Sequence, residues 1–265
     1  MQKYINLDRY PLHLEASTSV TQLMRECVDH LGQTGMFSLP GFLRQEAIDA
    51  TVAALDPLWR DQAFTHAREH NIYFEDVPEH APSNHPGNVR FSTVNHTLCA
   101  DQLDATPLVE IYQWPPLISF LARTLKLTSL YPMADPLAKV NVMAYGNDEA
   151  LNWHFDRSEF TTTLLLQKPE GGGVFEYRRN LRANTEPSFE AVSDLLGGRD
   201  KQVLNWDPDP GTLNVFLGRD TAHRVTPVVG ARQRIIAVFS YYDVPGKVFS
   251  AEEQAGFYGR SYAGV

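Results

Sequence analysis

Residues 151–167 read LNWHFDRSEFTTTLLLQ, a polar segment carrying His154 and Asp156 that runs directly into threonines and leucines. The β-branched and apolar run 160–167 has the composition of a buried strand. His154 and Asp156, two positions apart, share one face if the chain stays extended. The segments around it are similar in kind. KVNVMAY (139–145), VFEYR (174–178), GTLNVFLG (211–218), HRVTPV (223–228) and RQRIIAVFSYYD (232–243) are short β-type runs separated by Gly, Asn, Asp or Pro. Within this half only SFEAVSDLL (188–196) has a helical period.

The N-terminal half differs. Leu23, Cys27 and Leu31 recur at helical spacing in 20–31 after a Ser/Thr-rich start able to cap it. GMFSLPGFL (35–43) reads as a short strand and turn, and 44–59 as a helix through Ile48, Val52 and Leu55. PLVEIYQW and LISFLARTL are helical stretches broken at Pro115-Pro116. The His-, Pro- and Asn-rich stretch 64–99 is too long for a simple connector and is expected to be a covering loop. Helices followed by six or more short strands predict a mainly β fold with N-terminal helices, an antiparallel sandwich or barrel. No composition break marks a second domain.

The chain has 265 residues with 43% hydrophobic content, enough for one well-buried domain. With 23 Lys+Arg against 32 Asp+Glu, the net charge of −9 argues against a nucleic-acid partner. It leaves small anionic substrates open, because a pocket can be locally basic. No apolar run reaches membrane-spanning length, and the first residues lack a signal peptide's apolar core. Two cysteines make no disulfide framework, so the expectation is a cytoplasmic protein without membrane partners, of unspecified oligomeric state.

His223 opens the strand 223–228. Two imidazoles and one carboxylate on one face of a metal leave the opposite positions free, the arrangement of non-haem Fe(II) oxygenases. The mixed donor set also suits Mn, Co or Zn, and two polar residues at a strand end are common without any metal. Arg234 lies inside the apolar strand that follows. A buried guanidinium needs an anion, which is either a structural ion-pair partner or a bound carboxylate clamped at two points. Triad and clamp together point to 2-oxoglutarate, its keto acid end on Fe(II) and its far carboxylate on Arg234.

The order His-x-Asp, GGGVFEYR, GTLNVFLGRDTAHRVTPV and an arginine in the last long strand resembles the Fe(II)/2-oxoglutarate-dependent oxygenases over residues 137–245. More narrowly, LNWHFDRSEFTTTLLLQ and FTHAREHNIYF resemble the N-succinyl-L-leucine β-hydroxylase group, related to carrier-independent amino-acid hydroxylases and halogenases. The resemblance implies a double-stranded β-helix (jelly roll). It implies one domain over 1–265, with helical support and covering loop at 1–136, core at 137–245 and C-terminal tail at 246–265. It also implies His154, Asp156 and His223 as iron ligands, Arg234 as the 2-oxoglutarate clamp, and O2 as the second co-substrate. Related halogenases carry a small residue where Asp156 stands, which makes room for chloride. Hydroxylation is therefore expected here.

Other residues carry weaker expectations. Thr226 and Asn141 are candidates for 2-oxoglutarate contact, with strand packing or a structural hydrogen bond as the alternative. Arg157, Tyr145, Arg90 and Asn95 are candidates for the substrate, Arg157 having a pair with Glu159 as its alternative. Arg68 and Arg179 are further cations for a substrate carboxylate. His66, His70, Tyr73 and His96 fit a lid better than a second metal site, and Trp153 fits packing. Gly171-Gly172-Gly173 lacks the context of a phosphate loop and reads as a turn. The resemblance implies a small-molecule substrate, an N-acylated and specifically N-succinyl aliphatic amino acid hydroxylated at the β-carbon. A free amino acid is the alternative. A non-catalytic 2-oxoglutarate sensor and a cupin-type metal hydrolase or isomerase are readings from other classes.

Overall fold

A computed structural model describes residues 1–182 and 188–262; the last three residues of the expected tail lie outside it. The strands are β1 (Met36–Leu39), β2 (Phe64–His70), β3 (Phe91–Cys99), β4 (Tyr131–Pro132), β5 (Val140–Tyr145), β6 (Leu151–His154), β7 (Thr161–Gln167) and β8 (Gly171–Gly172). They continue as β9 (Phe175–Arg178), β10 (Leu204–Trp206), β11 (Leu213–Phe216), β12 (Ala222–Val225), β13 (Val228–Val229), β14 (Arg234–Phe239) and β15 (Tyr241–Tyr242). Seven of them form one antiparallel sheet in the order β1-β11-β7-β14-β5-β3-β2, and four form a second, β10-β9-β12-β6. The two sheets face each other as a jelly roll.

Alternation within the larger sheet sets what each face meets. Val140, Val142 and Ala144 of β5, Leu164 and Leu166 of β7, and Ile235 and Ala237 of β14 point outward into the main apolar core. That core is completed by α1 (Thr18–Thr34), α2 (Gln45–Leu55), α3 (Leu58–Asp61), α4 (Leu108–Tyr112) and α5 (Pro115–Thr124). Ser17 caps α1 by accepting from Val20 N at 3.3 Å, and Gly35 closes it in the left-handed region. Pro57 separates α2 from α3, and Pro115 opens α5, where a missing N–H costs nothing. α6 (Phe189–Leu196) packs beneath the smaller sheet on Trp153 and Phe155.

Two expectations change. The stretch 64–99 is no simple covering loop: β2 and β3 pair antiparallel along seven positions and extend the larger sheet. β2 alternates half-buried and exposed residues up to the buried His70, and its cavity-lining positions are His66 and Arg68, so no apolar alternation betrays the strand. Of the segment between the two strands, Phe74 lines the cavity. The expected tail also contains α7 (Ala251–Tyr258), opened by a Ser250–Glu253 capping box. Asp135 holds it by accepting from Gln254 Nε2 (2.8 Å) and Phe249 N (2.9 Å), and Arg260 grips Asp101 at 2.9 and 2.7 Å.

Candidate active site

The β6–β12 register sets His154 directly opposite His223, bringing the imidazole centroids to 4.1 Å. Each ring is fixed by its Nδ1, which donates to a backbone carbonyl, Asn152 O at 2.8 Å for His154 and Thr221 O at 2.9 Å for His223. A carbonyl only accepts, so Nδ1 carries a proton in each ring and Nε2 is the ring atom turned inward, the one left to ligate a metal. Both Nε2 atoms lie 3.5 Å from Asp156 Oδ1. Asp156 is held on its other side by Thr161 Oγ1, which donates to Oδ2 at 2.5 Å, and its N–H donates to Gly218 O at 3.1 Å.

Burial, reinforced by the neighbouring His223, holds His154 down to about 4. Burial pushes the Asp156 carboxyl up, but His223 and the hydrogen bonds of both imidazoles outweigh it and hold it well below the usual range. Two imidazole Nε2 atoms and a carboxylate oxygen thus converge within 4.8 Å of one another. Such an electron-rich cluster needs a cation, and the N2O set with open opposite positions is suited to Fe(II).

Arg234 is buried on β14, opposite Tyr145 of β5. Its Nε donates to Gly173 O at 3.1 Å, while Nη1 is buried without a partner. Burial lowers its pKa, so a bound carboxylate is what the site calls for. Gly173, at φ +61°, keeps the turn off the arginine: a Cβ there would stand 3.1 Å from Arg234 Cδ. The residues fit the 2-oxoglutarate expected from sequence: the triad would hold a metal that it chelates, and Arg234 would offer a carboxylate its unpartnered Nη1.

The triad and Arg234 line a cavity of about 530 Å³ between the two sheets. Of the other expected site residues, Tyr145, Asn95, Asn141 and Arg157 line it too, as do His66 and Arg68. Tyr145 stands beside Arg234, at the co-substrate end. Asn141 lies four positions along β5, about 13 Å away at strand rise. Its amide is engaged as well, donating to Leu137 O (2.9 Å) and accepting from Tyr258 Oη (3.0 Å). Asn141 therefore supports α7 while still lining the cavity. Thr226 lies outside the cavity lining, its hydroxyl accepting from Val174 N at 3.0 Å. Arg90 is exposed outside the lining, and Arg179 ties down the end of α1 through Gln33 O and Gly32 O. The Arg157–Glu159 pair does not form; Glu159 lies 3.8 Å from Arg219. Trp153 packs, with Arg224 over its ring at 4.8 Å.

Sequence reading missed Thr161, Gly218, Phe74 and the α7 residues Glu253, Phe257 and Tyr258. Alternation along TTT marks Thr161 and Thr163 as one face. Gly218 is revealed only by three-dimensional crowding, since a Cβ there would meet Asp156 Oδ2 at 2.1 Å.

A jelly roll with an inward His–Asp–His set and a buried, half-satisfied arginine has the architecture of the 2-oxoglutarate/Fe(II) oxygenases, and solved members of that class share this fold. The chain is similar to a 2OG-Fe(II) oxygenase family oxidoreductase from Burkholderia pseudomallei (16% identity, 84% of this chain and 92% of that one, TM-score 0.51). It is also similar to the Trichoplax adhaerens prolyl hydroxylase solved with a hypoxia inducible factor peptide (15%, 84% and 90%, 0.52). A third is HygX from Streptomyces hygroscopicus, solved with nickel, 2-oxoglutarate and hygromycin B (13%, 82% and 86%, 0.54). No curated protein sequence matches the chain. The family model described as Halogenase D matches residues 21–247, and the chain belongs to that family.

Proposed function

We propose that the protein is an Fe(II)- and 2-oxoglutarate-dependent hydroxylase of an unactivated C–H bond, acting at the β-carbon of an N-acylated aliphatic amino acid, with N-succinyl amino acids as its leading substrates. The observation that carries the reaction class is the pairing of a His–Asp–His donor set with a buried arginine whose Nη1 lacks a partner. Fe(II) with 2-oxoglutarate and O2 supplies the oxidising power for the C–H bond when bound, through His154, Asp156 and His223. The chain's own residues bind, orient and exclude water. Arg234 and Tyr145 hold the co-substrate end, and Thr161 and the two backbone carbonyls keep the ligand side chains aimed. No protein base is needed at the target carbon.

The substrate class rests on the other end of the cavity. Arg68, Arg157 and Lys247 line it, whereas Glu253 is the one lining carboxylate besides Asp156 among the described residues. Glu253 Oε2 accepts from Ser250 N at 3.0 Å. A dianionic N-succinyl substrate meets three cations, while a free amino acid's ammonium meets one carboxylate besides Asp156, Glu253. Met143, Ile236, Phe74 and Phe257 give the apolar stretch between that suits an aliphatic side chain. Asp156 keeps a carboxylate in the position that halide needs, which favours hydroxyl over chloride transfer even within a family described as Halogenase D.

The test is a panel of free, N-acetyl and N-succinyl amino acids given to Fe(II)-reconstituted protein with and without chloride, following succinate release and product mass. Hydroxylated N-succinyl products are expected, unchanged by chloride and abolished by chelator. Turnover of free lysine-like cations alone would sink the N-acyl reading, and a chlorinated product the hydroxylase reading. Binding of Fe(II) and 2-oxoglutarate with no O2 consumption across the panel would favour the sensor.

A further inference from the structure

Phe74 has a left-handed backbone, φ 53°, where a bulky side chain is a genuine outlier. Asn71, buried beneath it, enforces that turn. Its Oδ1 accepts from Tyr73 N (3.0 Å), and its Nδ2 donates to Glu75 O (2.7 Å) and Gly87 O (3.1 Å). Its backbone carbonyl accepts from Phe74 N at 3.2 Å and pairs with His70 Nδ1 at 2.9 Å. Strain that the surroundings over-determine in this way is a mark of functional segments.

The turn delivers the Phe74 ring into the cavity wall. The ring centroid lies 5.2 Å from that of His154 and 4.5 Å from that of His70. The Arg68 guanidinium lies 4.3 Å from the centroid of the same ring. Arg68 Nε is buried without a hydrogen-bond partner. A guanidinium stacked on an aromatic face keeps its in-plane N–H groups for a carboxylate. The ring thus touches the metal-side histidine and the cation at the substrate end together.

We propose that Phe74 is a positioning residue: it fixes the Arg68 guanidinium as the seat for a substrate carboxylate, at a set distance from the His154 side of the metal centre. The ligand is a carboxylate of the amino-acid substrate, and the inference rests on the substrate reading above. Phe74 acts through Arg68, so its effect depends on Arg68 being present.

A double-mutant cycle tests this. Binding of N-succinyl-L-leucine to protein loaded with Zn(II) and 2-oxoglutarate is measured by calorimetry for wild type, Phe74→Leu, Arg68→Ala and the double variant. Phe74→Gly, whose backbone suits φ 53° natively, is carried beside Phe74→Leu in case one folds poorly, with melting temperatures as the control. Phe74→Leu is expected to weaken binding about three- to thirtyfold, the range of a partly desolvated cation–π contact. In the Arg68→Ala background the same change is expected to cost less than about twofold. Equal factors in both backgrounds, or no effect in either, overturn the proposal. If wild type ignores N-acyl amino acids but binds a free one, the substrate reading fails, and the same cycle on that amino acid's carboxylate decides Phe74 separately. If wild type binds none of the panel, both fail.

Discussion

The two faces of the seven-stranded sheet are built from the same strands and do opposite work. Outward residues such as Val142, Leu164 and Ala237 are fully buried against helices, where shape and apolar area are all that count. Inward residues on the same strands include Asn141, Tyr145, Thr161, Asn214 and Arg234, and these leave polar atoms facing a cavity. Stability is concentrated on one face and chemistry on the other. Substitutions on alternate residues of one strand should therefore separate the two properties.

The largest effect belongs to the donor set. His223→Ala and Asp156→Ala are each expected to lower substrate-dependent 2-oxoglutarate turnover by about a thousandfold or more, ~4 kcal/mol of barrier. Secondary structure by circular dichroism should stay intact, because the core lies on the outward face. Full turnover in either variant would break the triad assignment. The outward counterpart is Leu164→Ala, expected to cost about 2–5 kcal/mol of stability in urea unfolding, with KM for 2-oxoglutarate unchanged in the folded fraction.

Arg234→Met sharpens the contrast because both properties move in opposite directions. Removing the guanidinium is expected to cost about 2–5 kcal/mol in 2-oxoglutarate binding. It also removes a buried charge with an unpaired Nη1, so the ligand-free protein should become more stable, by about 1–4 kcal/mol. A loss of stability would mean that Arg234 has a structural anion after all. Gly218→Ala ranks next. Its methyl would intrude on Asp156 Oδ2 at 2.1 Å, and displacing a ligand side chain is expected to cost about 10–100-fold in metal affinity or activity.

The outward face was the more legible from sequence. Runs such as IIAVF and TTTLLL announce strands because their buried residues are apolar. The inward face was legible only where a residue type is costly unless used, as with His154, Asp156, His223 and Arg234. β2 was hidden for the same physical reason, since its cavity-lining residues are His66 and Arg68 and His70 continues that face, which gives no hydrophobic period. α7 was hidden because its buried residues, Gln254 and Tyr258, make no apolar stripe. Thr226 and Asn141 have hydrogen-bond partners in other parts of the chain, Val174 for the first and Leu137 and Tyr258 for the second. Spacing gives the face of a strand, but which polar group meets it depends on loops and helices far away in sequence.

The smallest effect tests whether the cavity face costs stability through its titrating groups. His66 lines the cavity from β2, and burial, with Arg68 and His70 beside it, lowers its pKa from 6.5 to about 4. The folded chain therefore resists a proton that the unfolded chain accepts. Above 6.5 neither state holds that proton and His66 adds no slope. As pH falls from 6.5 toward 4 the unfolded state gains it first, so stability declines across that window. His66→Gln keeps a polar side chain that does not titrate. The urea midpoint of the metal-free variant should drop less than wild type between about pH 7 and about pH 5, with the two midpoints changing in parallel above that range. An unchanged acid slope would mean that His66 is solvated, and that the cavity's basic end is wetter than its lining suggests.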